Sequence, residues 1–275
     1  APSLTVSNIK NNSANKDEIY SFTVVVEDIN INTDTFDMLL TGTFKSEDGS
    51  FAESDVEIGT MNTVEEGIKY SYVVDNLVAD GVYTLTCYAE DKSGNKTSHV
   101  ILEDGKDYDS VNFSINRDGS SFTASESTTN IVSQYFVYGV NEDIVIEEIN
   151  VDPISSYSVK LNGKELRENR DYTVSVSDND GEWYKVTYTI NKSLFEGENE
   201  YSIVIESTDK AETTAYSDVK NLDVKFVVDK TAPVITISGI ESGGRYQVNE
   251  QVVTLIPTDD QRIFSHIHLY LYHSH

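Results

Sequence analysis

Aspartates that recur along the chain are the residues best suited to metal chemistry. Asp91 and Asp209 follow similar strand-like runs, 118 positions apart (209 − 91), and Asp229 ends a later run. Calcium takes about six to eight oxygen ligands, so carboxylates gathered at a domain junction would bind it and stiffen the joint. The recurrence predicts a calcium site that uses Asp91, Asp209 and Asp229. The open alternative is a set of solvated surface carboxylates.

Histidines are concentrated at the C-terminal end of the chain. His266 and His268 lie two apart on the predicted strand Phe264–Tyr272, a spacing that presents two imidazoles to one metal ion. His273 and His275 follow. We interpret this group as a truncated strand with an accidental or appended end, and not as a metal site.

Catalysis has few residues to use in this chain. His99 is the only imidazole before the C-terminal end, so a Ser-His-Asp or Cys-His set cannot be assembled. Counting leaves paired carboxylates open, because there are 47 acidic residues, but no long βα loops shape a cleft around them. The single cysteine, Cys87, aligns with Ile205 in the repeat and is predicted to be a buried thiol. The chain is predicted not to be an enzyme, with no catalytic and no cofactor-binding residues.

Three aromatic residues have two interpretations each. Tyr83 and Tyr201 occupy equivalent positions, where a tyrosine hydroxyl commonly bonds to upstream backbone in a sandwich domain. Trp183 begins a strand-like run beside Tyr184 and is predicted to be packed in the core. The alternative for all three residues is that the ring stacks on a sugar, which for Trp183 requires that it face the solvent.

The charge balance restricts the partners of the chain. The 20 Lys and Arg residues are outnumbered by 47 Asp and Glu residues, which gives a formal net charge of −27. Nucleic acid is therefore excluded as a partner, because binding to phosphate depends on cationic side chains. No apolar run is long enough to insert into a membrane, and one cysteine cannot form a disulfide framework.

Period-two alternation dominates the sequence and predicts an all-β fold. Runs such as Tyr83–Cys87 and Tyr201–Ile205 are short, rich in β-branched and aromatic residues, and bounded by turn formers. Four dipeptides are predicted to form tight turns with a left-handed backbone: Asp48-Gly49, Asp80-Gly81, Asn162-Gly163 and Asp180-Gly181. The acidic run Asp178–Gly181 comes nearest to a contiguous calcium loop, and its simpler interpretation is one of these hairpin turns.

The chain repeats itself at an interval near 115 residues. The opening segment Ala1–Ile9 matches Ala232–Ile240 at almost two intervals. A period of this length is typical of tandem sandwich domains and too long for a solenoid. We predict one sandwich in residues 1–116, a second in residues 117–230, and a truncated third in residues 231–275.

Three phrases resemble the bacterial immunoglobulin-like (Big-type) repeats of Gram-positive cell-surface proteins. They are the boundary Val228–Pro233, the strand entry Asp80–Tyr83 and the strand end Ala89–Asn95. The resemblance implies tandem immunoglobulin-like antiparallel β-sandwiches, extracellular display on a cell-wall-attached parent protein, and neighbouring domains of the same type as partners. The second repeat departs from the pattern, because Asp209–Glu212 stands where the family usually has a Gly-Asn turn.

The preferred prediction is a non-catalytic stalk or spacer, whose short linkers 116–120 and 229–231 limit bending. One alternative is an adhesin module that binds host glycan or protein. Another is a set of accessory domains in a larger carbohydrate-active surface enzyme. Calcium at the junctions is compatible with each of the three.

Overall fold

The computed structural model describes residues 1–17, 20–47, 49–177, 183–246 and 252–259. Most of this part of the chain is β-strand, arranged in several sheets, which confirms the predicted all-β class and is consistent with sandwiches. No helix in these ranges has the length and apolar character that crossing a membrane requires.

The segment from Ser3 to Ile115, here called the first unit, contains twelve strands among its described residues. They are β1 (Ser3–Ser7), β2 (Ser13–Asn15), β3 (Tyr20–Glu27), β4 (Asp37–Lys45), β5 (Phe51–Asp55), β6 (Asn62–Glu65), β7 (Lys69–Leu77), β8 (Gly81–Glu90), β9 (Lys96–Thr97), β10 (Val100–Leu102), β11 (Asp107–Tyr108) and β12 (Val111–Ile115). One sheet has the order β11-β10-β1-β3-β7-β6 and the other β2-β12-β8-β4-β5, with β9 beside β8. A short 3-10 helix covers Thr33–Thr35.

The segment from Ser121 to Val228, here called the second unit, contains ten strands and one α-helix among its described residues. They are β13 (Ser121–Ala124), α1 (Glu126–Gln134), β14 (Phe136–Val137), β15 (Ile144–Asn150), β16 (Ile154–Leu161), β17 (Lys164–Glu165), β18 (Tyr172–Ser177), β19 (Tyr184–Ile190), β20 (Asn199–Asp209), β21 (Thr214–Tyr216) and β22 (Val224–Val228), with a 3-10 helix at Lys192–Phe195. Its sheets have the orders β13-β15-β19-β18 and β14-β22-β20-β16-β17, with β21 beside β20.

The two units share one strand order. The path β1-β3-β7-β6 of the first unit corresponds to β13-β15-β19-β18, and β2-β12-β8-β4-β5 corresponds to β14-β22-β20-β16-β17. Both units also pair their second sheet in parallel at one edge, through β2 with β12 and β14 with β22. The first unit adds β10 and β11, and the second unit adds α1.

Each unit has its own hydrophobic core, because strands from both of its sheets turn alternate side chains inward. β8 is buried at every second residue from Gly81 to Ala89, and β15 shows the same period from Ile144 to Asn150. One continuous core runs from Leu4 to Ile115 and the other from Phe122 to Val228.

Helix α1 is the one α-helix among the described residues, and the sequence alternation did not indicate it. Ser125 caps its first turn by accepting a hydrogen bond from the Thr128 backbone N–H. Thr128 is buried, and its Oγ1 accepts a hydrogen bond from Val145 N at 2.9 Å. The helix therefore lies against the start of β15.

The predicted tight turns have different outcomes. Asn162 and Gly163 have φ of 50° and 76° and join β16 to β17, as predicted, and Gly49 has φ of 85° between β4 and β5. The prediction for Asp80-Gly81 was wrong, because Gly81 begins β8. A Cβ there would lie 2.8 Å from the Thr43 carbonyl oxygen, so close strand packing requires this glycine. Asp180-Gly181, Asp48 and the run Asp178–Gly181 lie outside the described residues.

Residues after the second unit form one antiparallel pair, β23 (Val234–Ser238) with β24 (Thr254–Thr258). Its register, Val234 opposite Thr258, repeats Ser3 opposite Glu27 of β1 and β3, each shifted by 231 positions (234 − 3). The predicted strand Phe264–Tyr272 and the histidines His266, His268, His273 and His275 lie outside the described residues.

Candidate functional site at the junction of the two units

The segment between β12 and β13 joins the two units, and its polar side chains are buried. Asn116 follows β12 directly and is 0% exposed, and Ser120, just before β13, is buried as well. Buried polar groups need hydrogen-bond partners, so the contacts of these side chains determine how the units are joined.

Asn116 is the centre of the junction. Its side-chain Nδ2 lies 2.7 Å from Asn150 Oδ1, 2.9 Å from Asp209 Oδ2 and 3.1 Å from Asp152 Oδ2. Its Oδ1 accepts a hydrogen bond from Gly119 N at 3.1 Å. One side chain at the end of the first unit is therefore held by three acceptors of the second unit.

Asp152 links the same cluster back to β12. Ser114 Oγ donates to Asp152 Oδ1 at 2.6 Å, and Asp152 N donates to Asn150 Oδ1 at 2.8 Å. Burial raises the pKa of the Asp152 carboxyl, and the charge of Asp209 adds to this rise. The hydrogen bonds from Ser114 and Asn116 oppose it. Asp152 is thus a carboxylate whose ionised form is less favourable at the junction than in water.

Further contacts join the two units beside the Asn116 cluster. Lys210 Nζ donates to the Asn12 carbonyl oxygen at 2.7 Å. Trp183 Nε1 donates to the Thr43 carbonyl oxygen at 3.2 Å, and its ring lies 5.7 Å from that of Phe51 between centroids. The junction is therefore held by more than the contacts of Asn116.

Asp80 fixes the linker backbone from the first unit. Its carboxylate accepts hydrogen bonds from Arg117 N at 3.0 Å and Asp118 N at 2.8 Å. Glu198 occupies the equivalent place in the second unit and accepts from Lys230 N at 2.7 Å. The chain after each unit is thus held by a carboxylate at the equivalent place.

Glu148 is a fully buried carboxylate of the second core, next to the junction. Its Oε1 accepts hydrogen bonds from the hydroxyls of Ser120 and Ser207, and its Oε2 accepts one from Tyr188 at 2.6 Å. Ser120 Oγ in turn accepts from Asn150 Nδ2 at 2.7 Å. The buried glutamate therefore continues into the Asn116 cluster.

The three aspartates predicted to bind calcium have different surroundings. Asp91 Oδ2 accepts from Asn95 Nδ2 at 2.7 Å, and its Oδ1 accepts from Asn95 N and Ser93 N at 3.0 Å and 2.8 Å. These hydrogen bonds, the one from the Asn95 side chain first, hold the pKa of Asp91 below its usual range. Asp209 lies in the Asn116 cluster, and Asp229 accepts from Thr231 N at 3.1 Å. Within the described ranges no group of three or more His, Cys, Asp or Glu residues is arranged to hold a metal ion. Calcium binding at these positions stays a prediction.

The tyrosine prediction is confirmed in both units. Tyr83 OH donates to the Ala79 carbonyl oxygen at 2.7 Å, and Tyr201 OH donates to the Gly197 carbonyl oxygen at 2.9 Å. Each bond spans four residues and closes the turn that enters the longest strand of its unit.

Cys87 is buried in the first core, as predicted. Burial, together with the charge of Asp37, raises the pKa of its thiol to about 12, which leaves almost no thiolate at neutral pH. His99 is exposed, and its Nδ1 lies 2.6 Å from Asp109 Oδ1. The two residues lie in different settings, one in the core and one on the surface.

The prediction for Trp183 was wrong. Trp183 is only half-buried and is not part of the second core. It precedes β19 and reaches the first unit, where the Thr43 carbonyl oxygen satisfies its indole N–H. An indole needs such an acceptor when it is covered, and an apolar core does not offer one.

Sequence reasoning missed most of the junction cluster, although one signal was present. The alternation Ile144, Ile146, Glu148, Asn150 places two polar residues on the inward face of a strand. Ser114 is buried as well, although it lies on the opposite face of β12 from Val111, Phe113 and Ile115. Inward polar residues next to a predicted domain boundary are therefore the pattern that indicates a buried polar junction.

In comparisons with known proteins, no protein-family model and no curated protein matches the chain.

Proposed function

We propose that the chain is a non-catalytic stalk segment of a bacterial extracellular surface protein. In this proposal residues 1–116 and 117–230 are tandem immunoglobulin-like sandwich domains, and residues 231–275 begin a third. The shared strand order of the two units supports the tandem arrangement. The net charge of −27 supports an exposed, soluble rod, since strong like charge opposes self-association.

The observation that carries the proposal is the burial of Asn116 among three acceptors of the next unit. Hydrogen bonds are directional, so bending at the linker would separate Asn116 from these groups. A buried polar group that loses its partner costs about 1–3 kcal/mol. The junction therefore resists bending. A spacer needs this stiffness, and an ordinary flexible linker does not provide it.

Small-angle scattering of the wild-type chain and of Asn116→Ala tests this function. We expect an elongated wild-type particle with a narrow distribution of lengths, and a broader distribution for Asn116→Ala. Asn130→Ala, at an exposed position of α1, is the matched control and should leave the distribution unchanged. A compact wild-type particle, with the units folded against each other along their sides, would contradict the stalk.

The adhesin alternative has one observation in its favour. A cleft of about 490 Å³ opens beside Trp183 at the junction, and both acidic and basic side chains line it, among them Lys45, Asp80, Asp118 and Lys220. Aromatic rings next to polar groups are the usual surroundings of a bound sugar. Binding of the wild-type chain to a glycan array, lost in Trp183→Ala, would support this function. If the wild-type chain binds no glycan, the spacer function remains and the adhesin function is contradicted.

A further inference from the structure

The far end of the first unit repeats the residues that the second unit uses at the junction. Asp28 Oδ1 accepts a hydrogen bond from Asn30 N at 3.0 Å, as Asn150 Oδ1 does from Asp152 N. The five corresponding pairs are Asp28 with Asn150, Ile29 with Val151, Asn30 with Asp152, Asp91 with Asp209, and Lys92 with Lys210. We call Asp28, Ile29, Asn30, Asp91 and Lys92 the first-unit face.

The apolar residue of each set differs most in exposure. Val151 is 1% exposed, and it belongs to neither hydrophobic core, since it lines the junction together with Val82 and Phe113 of the first unit. Ile29 is 88% exposed. An exposed isoleucine is less favourable than a buried one because its apolar surface contacts water, so covering the first-unit face would stabilise it.

One polar atom of the first-unit face lacks the donors that its counterpart at the junction has. Asn30 Oδ1 is buried and has no hydrogen-bond partner, unlike every other buried side-chain polar atom of the described residues. Its counterpart Asp152 receives hydrogen bonds from Ser114 and Asn116. A buried acceptor without a donor is destabilising, so an incoming N–H or O–H would be favourable here.

Two carboxylates of the first-unit face correspond to acceptors of the Asn116 amide. Asn116 Nδ2 contacts Asn150 and Asp209, the counterparts of Asp28 and Asp91. The first-unit face therefore offers acceptors to an N–H donor at the same place.

We propose that the first-unit face is a docking surface for the opposite end of another sandwich of the same type. The incoming sandwich would end its last strand with an asparagine placed like Asn116, whose amide binds Asp28, Asn30 and Asp91. A carbonyl oxygen placed like that of Asn12 would accept from Lys92, as Asn12 does from Lys210. The proposal rests on the tandem arrangement of the proposed function and adds the residues by which a further unit attaches.

One part of the junction is not repeated at the first-unit face. Gly67, in the turn before β7, stands where the second unit has Trp183 before β19. The docked sandwich would thus be held by the central polar cluster and Ile29, without an aromatic anchor at the edge. We therefore expect the new junction to be weaker than the one around Asn116.

The test uses a lengthened chain, in which a second copy of residues 1–118 precedes Ala1. The added Asn116 then stands three residues before Ala1, as Asn116 stands three before Gly119. Backbone hydrogen exchange is measured across residues 27–32 of the original copy in both chains. We expect exchange of these residues to be slower by about tenfold in the lengthened chain. Replacing the added Asn116 with Leu should remove most of this protection.

A second readout uses Ile29→Cys in the original copy, labelled with a water-soluble maleimide. Cys87 is buried, so labelling reports position 29, and it should slow in the lengthened chain. Unchanged exchange across residues 27–32 would overturn the proposal, whatever the labelling shows. Dimers of the unlengthened chain that protect the same residues would also overturn it, in favour of contact between two copies. The wild-type scattering profile tests the spacer separately, because it does not involve docking on the first-unit face.

Discussion

Val26 of the first unit and Glu148 of the second unit occupy the same position in the shared fold. Val26 pairs with Leu4 across β1 and β3, and Glu148 pairs with Phe122 across β13 and β15. Both side chains are buried. One unit thus fills this position with an apolar group and the other with a carboxylate.

The surroundings change together with the residue. Around Glu148 the hydroxyls of Ser120 and Ser207 donate to the carboxylate, while the equivalent positions in the first unit are Pro2 and Ala89, which have no side-chain donor. A carboxylate is tolerated in a core only where donors replace the water that it loses. The comparison teaches that positions 120, 148 and 207 are polar as a set. All three carry polar side chains in the second unit, on the side where it meets the first unit.

Val26→Glu should break this correspondence with the largest effect. The new carboxylate would be buried without the hydroxyl donors of the second unit, and we expect the first unit to lose more than about 4 kcal/mol of unfolding free energy. Urea unfolding followed by circular dichroism measures it. Val25→Glu, half-buried on the opposite face of β3, is the control and should cost less than about 1 kcal/mol. A loss in Val26→Glu as small as that expected for Val25→Glu would show that position 26 tolerates charge without donors.

Glu148→Val makes the reverse change and should destabilise the second unit by about 3 kcal/mol. The hydroxyls of Ser120, Ser207 and Tyr188 would lose their acceptor inside the core, and each unsatisfied group is unfavourable. Adding Ser207→Ala removes one of these hydroxyls and should recover about 1 kcal/mol. If the double variant is less stable than the single one, the hydroxyl is not the cause of the loss.

The sequence predicted the strands and the tyrosine bonds because both depend on local pattern. Alternation identifies strands such as β8 and β20, and Tyr83 bonds to a backbone group only four residues away. The interaction requires no knowledge of the distant fold. The same reasoning located the turn at Asn162 and Gly163, whose two residues join neighbouring strands.

The junction was harder to predict because its partners come from different units. Asn116 meets Asp209, 93 positions later, and that contact depends on how the two units are oriented. The alternation of β15 places Glu148 and Asn150 inward, but it does not indicate which donors they meet. The predicted role of Trp183 was wrong for the same reason, since its acceptor at Thr43 belongs to the other unit.

The tyrosine hydroxyls of Tyr83 and Tyr201 form the same kind of hydrogen bond in the two units. Tyr83→Phe and Tyr201→Phe each remove one hydrogen bond to a backbone carbonyl and keep the ring in place. We expect each variant to lose about 1 kcal/mol of unfolding free energy, measured by chemical denaturation. A loss in one unit only would show that the two turns are not equivalent.

Asp152 should give the smallest effect, a dependence of stability on pH. Burial raises the pKa of its carboxyl in the folded chain, so the folded state binds a proton more tightly than the unfolded state. The contribution of Asp152 is fully present below its ordinary pKa near 3.9, and it is lost as the pH rises through the raised pKa.

The variant Asp152→Asn serves as the reference because its side chain cannot ionise. The effect of the changing net charge of the rest of the chain is common to both proteins and cancels in the comparison. We expect the unfolding free energy of the wild type relative to Asp152→Asn to fall from acidic to neutral pH, by about 1.4 kcal/mol or less for each pKa unit of the rise. Chemical denaturation of both proteins between about pH 3 and pH 7 measures this difference, and a difference that stays constant or grows with pH would show that Asp152 is ionised at the junction without cost.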